Sequence, residues 1–433
     1  MNALERLQAT HEPLRELGTA WRERHELDLS RLEELHVEAT LAAHEHYCRH
    51  LPAYRTLATD LDLVDCRDVG LIRSELASTD DLFKSYDEAW IDAGDFGAMT
   101  RWLGSIYAGP VHVDLAGVTT IQGWLDALES TGTRVWFSSG TSGHLSFVPR
   151  DELAARNLDT QIGTLVGPLL GGVESAAGYD AVLLSFQGGR QGLASAADKL
   201  ASVTGRQTYL YEFAVTPDGV RAAARGDKAA ASEFRRRTVD ELPQRYAVVI
   251  DALRRSVADG RPALLVGAPF QVADICELLA QASECVTLPA GSLLFLAGGW
   301  KAFEGSKLSR EELIATVTER LGITRVAESY GMTECTTQLP LCGYGRFHVP
   351  PTLWPMVFDD ALMPIEGLGR GRFGFSDPFA TSIPGLFISG DEVDLTLQGC
   401  ACGLPGYSFV GEVRRAAGRE VKGCGGVMSS VRG

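Results

Sequence analysis

Short apolar runs at residues 135–137, 181–186, 263–266 and 293–297 alternate with longer segments of helical composition. That alternation restricts the chain to the α/β class, because strands separated by helices call for layered α/β packing. Helices are expected over 152–165, 232–257, 272–282 and 310–321, the last opened by Ser309 as N-cap with Glu312 three residues later. Residues 5–57 are rich in Leu, Ala, Glu, Arg and His, with Leu32, Leu35, Ala39 and Ala42 at helical spacing, and read as helices. Within them His44 and Cys48, and His46 and His50, form two i, i+4 pairs on roughly opposite faces, so ordinary helix surface is expected there rather than a metal. From Pro340 onward glycines, aromatics and Pro350, Pro351, Pro355 and Pro364 predict short strands and turns. Three regions follow: a helical N-terminal region, 1–130, packed on the core; an α/β core, 131–340; and a β-rich, Cys-containing subdomain, 341–433.

Composition narrows the function. The 433 residues are 45% hydrophobic and 22% charged, enough for one large or two ordinary domains and incompatible with a disordered tail. Lys and Arg number 40 against 56 Asp and Glu, a net charge of −16 with no long basic run, which argues against a nucleic-acid partner. No apolar run approaches the roughly 20 residues that cross a bilayer. Residues 1–24 are charged and lack a secretory pattern, so a cytoplasmic location is expected. Nine cysteines in a reducing compartment are more simply buried, metal-bound or reactive than paired. The last five, Cys335, Cys342, Cys400, Cys402 and Cys424, crowd the C-terminal quarter.

After the run at 135–137 come Ser138, Ser139, Gly140, Thr141, Ser142 and Gly143. Their small size lets backbone approach a ligand, and their hydroxyls can donate to phosphate oxygens. The Gly-Lys-Ser/Thr ending of a P-loop NTPase is missing. Alone, such a loop reads as a turn. Downstream, however, stand Gly298-Gly299-Trp300-Lys301, then Glu328-Ser329-Tyr330-Gly331-Met332-Thr333-Glu334, then Ser389-Gly390-Asp391, then Gly418-Arg419. In this order the sequence resembles the AMP-forming adenylating enzymes. Within them it is most similar to the acyl-protein synthetases of bacterial luminescence operons and, more distantly, to the phenylacetate-CoA ligases. That resemblance rests on Ser139 to Gly143, Gly298 to Lys301, Cys342 with His348-Val349-Pro350-Pro351, and Lys422-Gly423-Cys424, and runs from about residue 40 to the end.

The resemblance implies the large domain of an adenylate-forming enzyme, with layered α/β sheets and a small β-rich subdomain. It implies ATP and Mg²⁺, with Ser138 to Gly143 on the phosphates, Gly298 and Gly299 in the nucleotide site, Tyr330 and Gly331 beside adenine, Thr333 at the α-phosphate and Glu334 on Mg²⁺. Asp391 and Arg419 would reach the ribose. The 42 residues after Asp391 are too few for the usual mobile lid and its lysine, leaving Lys301 and Lys422 as candidates. Cys342, His348, Cys400 and Cys402 supply four ligands for a structural Zn²⁺. Cys424, flanked by glycines and near Lys422, would accept the acyl group as a thioester, with CoA, a carrier-protein thiol or an amine as alternative acceptors. Ser185 to Arg190 and Gly267 to Phe270 are expected to line the pocket for a small-molecule carboxylate. A carrier protein or reductase is a candidate partner, and a homodimer a candidate assembly. The alternative is a nucleotide- or acyl-adenylate-binding regulator or scaffold with reduced turnover.

Overall fold

The computed structural model describes residues 1–139, 144–299 and 308–416. The described residues divide into two compact units: those within 1–136, 146–161 and 331–416 form one, and those within 137–145 and 162–330 the other.

The alternating apolar runs build the second unit. Strands Gln207–Tyr211, Asp180–Phe186, Ala263–Gly267, Leu293–Ala297 and Arg325–Tyr330 lie side by side in that order, and every neighbouring pair is parallel. Parallel strands need long crossovers, which helices Gly192–Val203, Leu242–Ala258, Pro269–Gln281 and Arg310–Leu321 provide. The strands Asp180–Phe186 and Ala263–Gly267 are buried at every position, as a sheet covered on both faces requires. Arg310–Leu321 has the bounds and capping box expected of it, with Ser309 and Glu312 each bonding the other's backbone N–H. The helix expected over 232–257 is broken: Lys228–Arg235 passes through a π-turn, Arg236–Asp240, before Leu242–Ala258 begins. Pro243 stands in the first turn of that last helix, where a missing N–H costs nothing, whereas mid-helix it would remove a hydrogen bond.

The first unit is organised around strand Leu386–Thr396, which pairs antiparallel with Gly369–Ser376, Ser408–Phe409 and Arg414–Arg415; Trp354–Phe358 and Phe347–His348 extend the sheet. At 8 and 11 residues, two of these strands are longer than the short segments expected. Gly374 explains part of the misreading. It sits at a register shift where a Cβ would meet the Phe358 ring at 2.3 Å, so the glycine marks close strand packing and not a turn. A two-residue strand, Ser78–Thr79, joins from the N-terminal side and runs parallel to Phe387 and Ile388.

Helices His11–Arg24 and Leu29–His50 belong to this unit and are tied to its C-terminal loops by buried histidines. Nε2 of His11 lies 3.0 Å from the Pro378 carbonyl, that of His36 2.9 Å from Pro351, and that of His46 3.0 Å from Thr381. His44 and His46, expected on helix surface, are thus buried. Each pairs with a backbone carbonyl, His44 with that of Val64 at 3.1 Å. Burial holds His11 down to about 4 and His36 to about 3, so both rings stay neutral. Among the described residues no helix is long and apolar enough to cross a membrane.

Candidate active site

In the first unit Thr333 and Glu334 occupy a turn closed by the Cys335 N–H on the Met332 carbonyl, 3.3 Å. Gly331 precedes it because a Cβ there would collide with the Gln338 amide at 2.3 Å. Two buried charges hold this turn. Arg150, wholly inaccessible at 0% exposure, donates from Nη2 to the Thr333 carbonyl at 2.6 Å and lies 5.4 Å from the Trp136 ring. Among the described residues its Nε and Nη1 have no hydrogen-bond partner. Asp377 accepts from the Thr336 N–H at 2.7 Å, the Thr336 hydroxyl and the Phe379 N–H.

Burial is the largest influence on Glu334 and raises its pKa. Asp80 adds to the rise, while the residue's own backbone N–H and the cations Lys84 and Arg150 oppose it. A carboxylate that solvent stabilises poorly, standing partly open in a turn, is suited to a hard cation such as Mg²⁺. Cys335 beside it is buried, and its thiol is pushed well above the ordinary range, which removes it as a nucleophile at neutral pH.

Asp391 is the sixth residue of the Leu386–Thr396 strand, and the strand pairing sets Arg415 directly opposite. Nη1 of Arg415 donates to Asp391 Oδ1 at 2.6 Å, and a Cβ on Gly390 would come within 3.0 Å of the same nitrogen. Arg415 is therefore an arginine at Asp391 that motif reading passed over; the only signal was its place four residues before the expected Arg419.

In the second unit the chain leaves strand Asp180–Phe186 towards Gln207–Tyr211 on one side and Ala263–Gly267 on the other. Where strand order reverses in this way, ligands bind beyond the carboxyl ends of the strands. The segments there, Gln187 to Arg190 and Ala268 to Phe270, fall within Ser185 to Arg190 and Gly267 to Phe270, the stretches expected to line the carboxylate pocket. Phe137 N–H bonds the Arg190 carbonyl at 2.8 Å, which brings the strand leading into Ser138 beside them. Gly188 and Gly189 take positive φ, 70° and 99°, so the turn at this crevice depends on glycine. Gly298, φ 80°, and Gly299 follow strand Leu293–Ala297, and Tyr330 ends strand Arg325–Tyr330.

Cys342, His348, Cys400 and Cys402 come together in the first unit with one ligand atom from each inside a 4.8 Å cluster. Cys342 Sγ is 3.7 Å from Cys400 Sγ, and Cys402 Sγ 3.2 Å from His348 Nε2. Burial, aided by Arg346, holds His348 down to about 4, which keeps the imidazole neutral as a metal ligand must be. Three thiols and one imidazole in such a space are the donor set of a closed tetrahedral zinc site.

Gly140, Thr141, Ser142, Gly143, Trp300, Lys301, Arg419, Lys422 and Cys424 lie outside the described residues, and of Ser139 only the backbone is described. Asp80, Lys84, Arg150 and Asp377, all missed in the sequence, surround the Thr333–Glu334 turn. Arg150 did carry a signal, as the charge closing a buried run after the small-residue loop. Lys84 carried none.

The family model described as "Acyl-protein synthetase, LuxE" matches residues 233–431, a stretch that includes Glu334, the four Cys and His residues and Asp391. Among solved structures, 2-hydroxyisobutyryl-CoA ligase in an open conformation with 2-HIB-AMP and CoA aligns with a TM-score of 0.57 at 12% identity. The alignment covers 89% of this chain and 70% of that one. The same ligase in a postadenylation state with R3-HIB-AMP gives 0.53 at 12% identity, over 87% of this chain and 65% of that one. No curated protein sequence matches the chain. The resemblance to the acyl-protein synthetase branch is thereby borne out, and the fold is that of the adenylate-forming ligases.

Proposed function

We propose that the chain is an AMP-forming carboxylate ligase that converts a carboxylic acid and ATP into acyl-AMP and pyrophosphate, then passes the acyl group to a thiol or an amine. The observation that carries this reading is the acyl-protein synthetase match over residues 233–431, which runs through both Glu334 and Asp391. Asp391 accepts hydrogen bonds from the ribose hydroxyls, while Ser138 to Gly143 donate to phosphate oxygens. Thr333 stands at the α-phosphate, and Glu334 would hold Mg²⁺. Bound Mg²⁺ would neutralise phosphate charge so that a carboxylate can approach. The crevice beyond strands Asp180–Phe186 and Ala263–Gly267 takes the acyl part, and Cys424 is the first acceptor to test.

Carboxylate-dependent exchange of labelled pyrophosphate into ATP, across aliphatic, aromatic and amino acids, is the expected activity. Mass analysis of the protein then separates an adduct on Cys424 from transfer to CoA or a carrier protein. A protein that binds MgATP yet exchanges with no acid is a regulator, and the ligase reading fails. Cys342, His348, Cys400 and Cys402 hold a structural Zn²⁺: metal analysis should find it stoichiometric in the purified chain and lost from the Cys400→Ser, Cys402→Ser double variant.

A further inference from the structure

Three independent contacts fix the segment around Lys84 within the unit that carries the Thr333–Glu334 turn, and the Lys84 charge acts on Glu334. First, Ser78 and Thr79 pair with Phe387 and Ile388, and the Ser78 hydroxyl donates to the Leu386 carbonyl at 3.0 Å. The parallel register carries the following residue, Asp80, towards Ser389, two residues before Asp391. Second, the 3₁₀ turn Leu82–Lys84 is anchored by Phe83, fully buried with its ring 6.3 Å from that of Phe387. Third, the next residues lock onto helix Phe96–Ser105 and strand Leu145–Arg150. Ser85 Oγ accepts from Trp102 Nε1 at 2.9 Å, and Tyr86 packs 5.5 Å from Phe147, three residues before the Arg150 that holds Thr333.

Lys84 Nζ lies 3.4 Å from Asp80 Oδ2, with 12% and 16% of the two side chains exposed. A mostly buried ammonium is costly to desolvate unless nearby anions compensate. The chain, moreover, uses lysine sparingly, with 6 against 34 arginines. Among the described residues the other lysines, Lys199 and Lys228, belong to the other unit. A compact ammonium serves phosphate and carboxylate oxygens as a point charge, where a guanidinium would demand planar, paired acceptors.

We propose that Lys84, tethered by Asp80, is a catalytic residue of adenylation, its ammonium facing the reacting carboxylate and α-phosphate beside Glu334. This rests on the ligase reading. In the step, a carboxylate oxygen bonds to the α-phosphorus, the bond from that phosphorus to the bridging oxygen breaks, and pyrophosphate leaves with the electron pair. Lys84 keeps its proton throughout and offsets the repulsion between the two anions.

The test compares Lys84→Met, Lys84→Arg, Lys301→Met, Lys422→Met and the surface control Lys228→Met in pyrophosphate exchange, with MgATP binding by calorimetry and a thermal melt alongside. Lys84→Met should lower the exchange kcat roughly 100-fold with the ATP KM little changed, by analogy with removal of one transition-state donor. Lys84→Arg should recover part of the loss, and Lys228→Met should match wild type. If Lys84→Met melts early, the partly rescued Lys84→Arg carries the comparison. Exchange that survives in Lys84→Met but fails in Lys301→Met or Lys422→Met overturns the assignment and leaves the ligase reading intact. A wild-type protein that binds MgATP without exchange overturns both.

Discussion

Asp180 and Asp377 are both buried aspartates, at 4% and 2% exposure, and the protein treats them oppositely. Asp180, at the amino end of its strand and so away from the crevice of the parallel sheet, is saturated. Arg206 and Arg261 donate to both of its oxygens, and the Ser256 hydroxyl adds a bond at 2.9 Å. Burial pushes its pKa up, but these bonds outweigh it and the net shift is downward. Around Asp377 burial wins and the shift is upward. Among the described residues its neighbour Arg150 has two polar nitrogens unmet, and the Thr381 and Ser382 hydroxyls are also without partners. Saturation of a buried charge fixes a fold, whereas polar groups left unmet mark where stability has been given up for a task. On the proposed reading, the first region serves architecture and the second chemistry.

Glu334→Gln tests the chemical side with the largest expected effect. Exchange should fall roughly 100- to 1,000-fold, about 3–4 kcal/mol in the barrier. The melting temperature should hold or rise, since a neutral amide replaces a carboxyl that burial disfavours. A variant that melts early instead would place Glu334 among the architectural groups. Asp180→Ala should do the reverse, lowering unfolding stability by about 2–4 kcal/mol while kcat stays at the wild-type value. Arg206 and Arg261 are over a third exposed and can turn to solvent, which keeps this estimate modest.

Acid should separate the two units. His11 and His36 are held below the ordinary 6.5, so between about pH 6.5 and 4 the unfolded chain binds protons that the folded one refuses. The stability they support is full above pH 6.5 and falls as the pH drops, by about 1.4 kcal/mol for each ring at pH 5.5. Asp180, with its pKa lowered, keeps its contribution until the pH falls below about 3.8. Hydrogen exchange at pH 5.5 should therefore open helices His11–Arg24 and Leu29–His50 before strands Asp180–Phe186 and Ala263–Gly267; simultaneous opening would refute the histidine account. The smallest effect is expected of Arg415→Gln. Its pair with Asp391 is partly solvated, so the KM for ATP should rise about 3- to 5-fold with kcat unaltered.

The parallel sheet was legible because its signal is local. Runs of apolar residues bounded by helices identified strands Asp180–Phe186, Ala263–Gly267 and Leu293–Ala297 almost to the residue, and Ser309 with Glu312 marked a helix start. Gln207–Tyr211, shorter on apolar residues at its edge, escaped notice. The metal-ligand set was legible because cysteine and histidine are few, and the structure gathers the four that were chosen. Arg415, Asp377 and Lys84 were not, since each is defined by strand pairing across a long sequence separation. No local pattern around Lys84 distinguishes it from a surface residue, and only the pairing of Thr79 with Ile388 reveals where it stands.

That pairing also bears on how the chain emerges from the ribosome. The 162–330 segment is continuous and can close its sheet as soon as it is made, whereas Ser78–Thr79 must wait for a partner about 300 residues later. At roughly 5–20 residues per second this is a delay of some tens of seconds, during which the apolar faces of the first helices have no sheet to cover them. The first unit is thus the last to be born, and its early helices are a natural client for a holding chaperone.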